Sequence, residues 1–280
     1  MTHTMTELEL KTKSIQYRKT LLRCIKRAKA GHTGGDLSCI DILNVLYNRI
    51  LNVSPETFDD PGRDRYVQSK GHSVEALYVV LADRGFFPES DLEALCCYRS
   101  RYVGHPTRKV RGIEQNTGAL GHGLAFSVGV ALAGRMDGAA YKVYTLLGDG
   151  ELAEGSNWES MLTAAHYRLD NLVAIADRNT LQITGRTEDI CALEPLRQKF
   201  EAFGWAVREV DGHDVAALTD TLGAAPFERG KPSMVIARTV KGKGISFMEN
   251  DPKWHHHVPT DEQYERAQQE LDRLLREVQA

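Results

Sequence analysis

From residue 118 onward, short apolar runs alternate with helix-length segments, and this rhythm restricts the fold more than any other feature of the chain. Val143-Tyr144-Thr145-Leu146-Leu147 and Leu172-Val173-Ala174-Ile175-Ala176 read as strands. Ala206–Val210 and Met234–Arg238 supply two more. Beside them, Ala119–Arg135, Gly155–Tyr167, Glu194–Phe203 and Val215–Leu222 have the length and spacing of helices. Strands and helices in this order predict an α/β fold, a parallel sheet covered by helices on both faces. A ligand is then expected beyond the carboxyl ends of the strands.

The amino-terminal part has a different character. Leu8, Ile15, Leu22 and Ile25 mark a helical stripe, and Lys11, Lys13, Arg18, Lys19, Arg23, Lys26, Arg27 and Lys29 surround it as a basic face. A membrane-surface helix is disfavoured because its apolar side lacks large aromatic anchors. Asp41–Ile50 and Val74–Arg84 repeat the helical spacing. The tail opens with Thr260 three residues before Gln263, the pattern of a capping box, and Tyr264, Ala267, Leu271, Leu274 and Val278 share one stripe. With no repeat and no low-complexity linker, residues 1–280 read as one domain. It divides into a helical layer over about 1–115, a sheet core over about 116–240, and a closing loop and helix over 241–280.

Composition narrows the function. The 280 residues are 42% hydrophobic and 26% charged, too apolar for disorder. Thirty-five basic against 38 acidic residues leave a charge of -3, which argues against nucleic acid as a partner. The five cysteines lack the paired spacing of a structural zinc site and read as reduced thiols. No run approaches the length of a membrane span, and no secretory signal opens the chain, so no membrane and a cytoplasmic location are expected.

The sharpest chemical signal is Gly148-Asp149-Gly150-Glu151, between a strand and a helix. Glycines let the backbone pass close to a phosphate, and the N–H groups of a helix start can bind it. Asp149 is placed to hold a divalent ion there, although a turn-forming aspartate is the plain alternative. The next strand ends in Ala176-Asp177-Arg178-Asn179, so Asn179 is expected at the same sheet edge, one strand spacing of about 4.8 Å away. Asp149, Asn179, a carbonyl such as that of Leu181, two phosphate oxygens and a water would complete the six oxygens that magnesium takes. Four histidines, His32, His72, His105 and His122, each stand beside glycine and suggest a pocket lined by neutral donors and acceptors. Of His255-His256-His257, one is expected to enter the site, because neighbouring side chains rarely converge.

Gly31-His32, Ser69-Lys70-Gly71-His72, Gly104-His105-Pro106, Thr117-Gly118-Ala119-Leu120-Gly121, Gly148-Asp149-Gly150 with Asn179, and Lys241-Gly242-Lys243-Gly244 together resemble transketolase, over residues 14 to 259. The chain is less than half a full transketolase and resembles the N-terminal, diphosphate-binding subunit of the split form. The resemblance implies thiamine diphosphate and magnesium as cofactors. Asp149, Asn179 and the Leu181 carbonyl would bind the metal. The Gly150 and Glu151 amides, His72 and His255 would hold the diphosphate, with Gly118 and Leu120 near the aminopyrimidine. His32 and His105 would be catalytic, facing the ketose hydroxyls and assisting proton movement near neutrality. His122 stands where the family usually has glutamine, and Thr180 where it often has a second asparagine.

The implied reaction transfers a two-carbon ketol group from a ketose phosphate to an aldose, the cofactor supplying the electron sink. A C-terminal pyrimidine-domain subunit would bring the glutamate that acts on the aminopyrimidine, in a heterotetramer of two plus two. The nearest alternative is a related split enzyme acting on an apiose-pathway or sulfosugar ketose. Further alternatives are a magnesium-dependent phosphohydrolase built on Asp149 and a catalytically silent scaffold subunit.

Overall fold

A capping box starts the first helix: the Glu9 amide donates to the Thr6 hydroxyl at 3.3 Å, and the Glu9 carboxylate takes the Thr6 amide at 2.6 Å. The structure is a computed structural model that describes residues 5–280; residues 1–4 of the expected helical layer lie outside the described residues. Helix α1 (Glu7–Ala28) buries Ile15, Leu22 and Ile25 as expected, whereas Leu8 is exposed. Its basic face is largely paired: Lys13, Lys19, Arg23, Lys26 and Arg27 meet Asp83, Asp272, Glu89, Asp261 and Glu93. Arg18 does not belong to that face. It is buried and binds the Asp41 carboxylate through two bonds of 2.9 and 2.6 Å.

Helix α2 (Thr33–Val45) begins eight residues before the expected Asp41, and the chain leaves it through a wide turn at Leu46–Ile50. Gly34 and Gly35 occupy its first turn. Close packing explains Gly34, since a Cβ there would stand 2.9 Å from the Trp254 carbonyl oxygen. Strand β1 (Arg65–Gln68) and helix α3 (Val74–Asp83) follow. The strand was not expected, because only Tyr66 and Val67 signal it and it falls inside the segment read as helical. Regular α-helix in that segment stops at Asp83, and residues 84–122 run as turns with one 3-10 stretch at Glu89–Ala94 among the described residues.

Helix α4 (Gly123–Met136) starts later than Ala119 because residues 117–122 form a turn. Strand β2 (Val143–Gly148), helix α5 (Gly155–His166) and strand β3 (Leu172–Arg178) match their expected places. A small hairpin, β4 (Leu181–Gln182) and β5 (Gly185–Arg186), leads through α6 (Thr187–Ile190) to α7 (Leu196–Ala202). Strand β6 (Ala206–Asp211), helix α8 (Val215–Gly223), strand β7 (Ser233–Arg238) and helix α9 (Asp261–Gln279) complete the chain. The Thr260–Gln263 capping box forms, and α9 buries Ala267 and Leu271 against the core. All five cysteines are free thiols. No described helix is long and apolar enough to cross a membrane.

The sheet is parallel in the order β1-β2-β3-β7-β6. Successive residues of its strands serve opposite faces. Tyr144, Leu146, Val173, Ile175 and Val235 join the core built by α1, α2, α3 and α8. Val143, Leu147, Leu172, Ala174 and Met234 join the core under α4, α5 and α7. Burial of Leu172, Val173 and Ile175 contributes roughly 1.5–3 kcal/mol each. Helices on both faces leave the strand ends as the place for a ligand.

Candidate active site

Strand register brings the first two groups together. Gly148 pairs with Asp177 across β2 and β3, so Asp149 and Asn179 leave the sheet from neighbouring strands. His32 stands just before α2, and His72 two residues before α3. The segment after β7 adds Lys241, and a 3-10 turn at Pro252–His256 adds His255. These groups surround a cavity of about 300 Å³. Ten of the eleven residues expected at a site line it: His32, His72, Gly118, Leu120, Asp149, Gly150, Glu151, Asn179, Leu181 and His255. The eleventh, His105, stands beside it with its ring 6.0 Å from that of His32. Gly118 admits this approach: its φ is +137°, and a Cβ would lie 2.6 Å from His105 Cδ2. A larger hollow of about 450 Å³ near Phe247 and Arg266 lies against α9 and contains none of these groups.

The histidines form one cluster around His32, whose ring lies 5.3 Å from His72, 5.6 Å from His255 and 4.7 Å from His256. Of the three consecutive histidines only His255 lines the cavity, as expected, while His256 packs its ring against His32. The 3-10 turn fans successive side chains, so His255 also stacks on His72 at 5.4 Å while His257 packs on Trp254. Burial first, then His256, His105 and the nearby lysines, take His32 down to about 4. Burial and Lys241 take His255 to about 3, burial and Lys70 hold His72 well below its usual value, and burial lowers His105. All four are neutral at pH 7, so proton exchange near neutrality, expected of His32 and His105, requires a counter-charge in the cavity. His32 Nδ1 is buried without a partner among the described residues. His122 is exposed and turns its Nδ1 to the Leu120 carbonyl at 3.2 Å.

The phosphate-side groups differ in detail from the expectation. The Gly150 amide donates to Asp149 Oδ1 at 2.8 Å because Asp149 caps the short helix that follows. Glu151 acts through its buried side chain, which accepts from the Gly148 and Gly121 amides, each at 2.9 Å, and from the Ser69 hydroxyl at 2.5 Å. It ties three strand and helix ends into one wall. Asp149 Oδ2 accepts the Thr180 amide at 2.5 Å and Arg178 Nη1 at 3.2 Å. Burial, then Asp177, raise the Asp149 carboxyl, and Arg178 and Lys241 oppose that rise. Among the described residues no group of three His, Cys, Asp or Glu side chains is placed to hold a metal. Asp149, Asn179 and Leu181 nevertheless line a single cavity, where Asn179 Oδ1 accepts the Leu181 amide at 3.1 Å; one charged and two neutral oxygens are a donor set that suits magnesium if a diphosphate supplies further oxygens.

Two buried lysines complete the site, and neither was assigned a role from its sequence motif. Lys70 binds Asp177, with the Gly35 carbonyl at 2.9 Å. Lys241 places Nζ 3.3 Å from the Leu181 carbonyl and 3.1 Å from His255 Nδ1, and burial with Lys70 beside it lowers it to about 8. Their signal lay in Ser69-Lys70-Gly71-His72 and Lys241-Gly242-Lys243-Gly244, where lysine next to glycine could have marked a phosphate-facing cation. Asp177, the carboxylate nearest to Asp149 in the strand register, is engaged by Lys70, Ser38 and Thr239 and is not available as a second catalytic acid.

Residues 11–272 match the family described as transketolase, thiamine diphosphate binding domain. The chain is 48% identical to an apulose-4-phosphate transketolase subunit of Phocaeicola vulgatus, over 96% of each protein. It is 40% identical to the 6-deoxy-6-sulfo-D-fructose transketolase subunit SqwG of a Clostridium species, over 95% of this chain and 98% of that one. Its fold superposes on the crystal structure of Campylobacter jejuni transketolase with a TM-score of 0.87 at 30% identity, covering 96% of this chain. It spans 43% of that larger protein.

Proposed function

Because the chain belongs to the transketolase family, we propose that it is the diphosphate-holding subunit of a two-polypeptide ketol transferase dependent on thiamine diphosphate and magnesium. The observation that carries this reading is the convergence of Asp149, Asn179, the Leu181 carbonyl and the neutral histidines on one cavity at the carboxyl edge. In it, Asp149, Asn179 and Leu181 hold magnesium. His72, His255, Lys241 and the Glu151 amide would hold the diphosphate beside Gly150, and Gly118 and Leu120 would border the aminopyrimidine. Bound there, thiamine diphosphate supplies an electron sink for the two-carbon fragment. His32 and His105 would orient the sugar hydroxyls and accept or return a proton at a ring nitrogen, the diphosphate charge offsetting the burial and, behind it, the neighbouring histidines and lysines that keep His32 neutral.

Support for a partner comes from two features. Glu151 is the one glutamate lining the cavity among the described residues, and its carboxylate is already taken by three donors. We read the glutamate that the family resemblance implies for the aminopyrimidine as belonging to a second polypeptide. Helices α4 and α5 also expose Ala125, Gly129, Ala133, Met136 and Leu162, an apolar surface suited to that subunit. The assembly we propose is two plus two. A phosphohydrolase lacks support because Asp177 is engaged elsewhere.

For the donor, the relatives of matching length favour an unusual ketose, of the apulose 4-phosphate or 6-deoxy-6-sulfo-D-fructose kind, over the general ketose phosphate. Reconstitution with the pyrimidine-domain subunit, followed by a donor screen, tests this. We expect the highest kcat/KM with one of these two donors and no turnover by the isolated chain. Preference for xylulose 5-phosphate would return the general reading, and activity of the chain alone would remove the shared site.

A further inference from the structure

We propose that Asp36 and Glu75 share a single proton behind the histidine cluster, and that this acid pair is a positioning device that keeps α2 and α3, and with them His32 and His72, in place for the cofactor. Its functional half rests on the function proposed for the cavity. Asp36 sits in the first turn of α2, its amide bonded to the His32 carbonyl at 3.0 Å. Glu75 sits in the first turn of α3, three residues after His72. Both are buried, 0% and 1% exposed. Asp36 Oδ1 accepts the Ala76 amide at 2.9 Å, capping α3 from the neighbouring helix where Ser73 provides no side-chain cap.

The remaining three oxygens define the problem. Asp36 Oδ2, Glu75 Oε1 and Glu75 Oε2 are buried and meet no N–H or O–H donor among the described residues. Because Asp36 caps Ala76, the residue after Glu75, the two carboxyls are brought close together, and each acts on the other. Two ionised carboxylates buried this close together would repel each other and lose their solvation. One proton resolves both penalties: Glu75, as the neutral acid, donates to Asp36 Oδ2. Asp36 is the better carboxylate of the two because it already holds the Ala76 N–H and faces Lys70.

Of the charged neighbours, Lys70 acts on the pair through Asp36. Lys70 is ion-paired with Asp177 across the site. Cys39 of α2 is pushed up to about 12 by burial, and burial also raises Cys96 and Tyr78, which face Glu75. The raised thiols and phenol stay neutral around neutrality and add no charge beside the pair. Burial raises both of its carboxyls. A Cβ on Gly104 would lie 3.9 Å from Glu75 Oε1, so the pair also underlies the segment that carries His105.

The sign follows from proton linkage. Unfolded Glu75 ionises near 4.5, whereas the folded pair keeps its proton to higher pH. Above that value the folded chain holds one proton more than the unfolded chain, and rising pH favours unfolding by up to about tenfold per pH unit. The test compares the full chain, Glu75→Gln and Glu75→Ala. Infrared spectra at neutral pH should show a protonated-carboxyl carbonyl band that Glu75→Gln lacks. In urea unfolding from about pH 5 to 8, the wild-type unfolding constant should rise relative to that of Glu75→Gln. In the assembled complex, Glu75→Gln, which keeps the donor, should bind magnesium thiamine diphosphate within about twofold of wild type, and Glu75→Ala about tenfold more weakly. Identical spectra and superimposed pH curves would overturn the shared proton. Equal cofactor affinity in Glu75→Ala would overturn the positioning role; if that variant does not fold, wild-type binding that loses affinity as pH rises while Glu75→Gln stays constant supports the role, and parallel profiles overturn it. Wild type that shows the band but binds no thiamine diphosphate would instead refute the proposed ketol-transferase function.

Discussion

The Lys241 ammonium is buried beside that of Lys70, and each further positive charge there lacks water to screen it. Such a placement opposes folding and favours an anion. We therefore expect Lys241→Met to stabilise the chain by about 2 kcal/mol in urea unfolding and to weaken thiamine diphosphate binding in the complex. Loss of both stability and binding would mean that its contacts with Leu181 and His255 outweigh the charge. The residues legible in the sequence were those next to glycine at an expected strand or helix end, such as Asp149, His32 and His72. Those that were not legible depend on partners far along the chain: Asp36 finds Glu75, and Lys70 finds Asp177, only after α2, α3 and β3 are packed.

Strands β2, β3 and β7 were readable because burial on both faces requires continuous apolar runs. Helix α2 was readable only in its second half, since glycine at its start answers to the Trp254 carbonyl, a contact no local rule contains. Strand β1 has too few residues to carry a period. Tertiary bonding also overrides pattern at Arg18. Grouped by sequence with a basic face, it links α1 to Asp41 on α2, whose Oδ2 also lies 2.7 Å from His213 Nδ1. Arg18→Ala would leave that buried carboxylate without its guanidinium and should cost about 3–5 kcal/mol in chemical denaturation. A change below about 1 kcal/mol would assign Asp41's charge to His213 instead.

For the whole molecule, the exposed apolar residues of α4 and α5 contrast with the paired charges around α1, and they give the surface a side on which a partner can be buried. Ala133→Glu places a charge on α4's exposed face, in its last turn. We expect stability within about 0.5 kcal/mol of wild type and loss of assembly with the pyrimidine-domain subunit in light scattering. Normal assembly would move the interface elsewhere. The walls of the cavity come from stretches near residues 32, 70, 120, 150, 180 and 255, folded onto one sheet edge. No short piece of the gene encodes them, so this pocket can be passed to a descendant protein only as a nearly entire coding sequence.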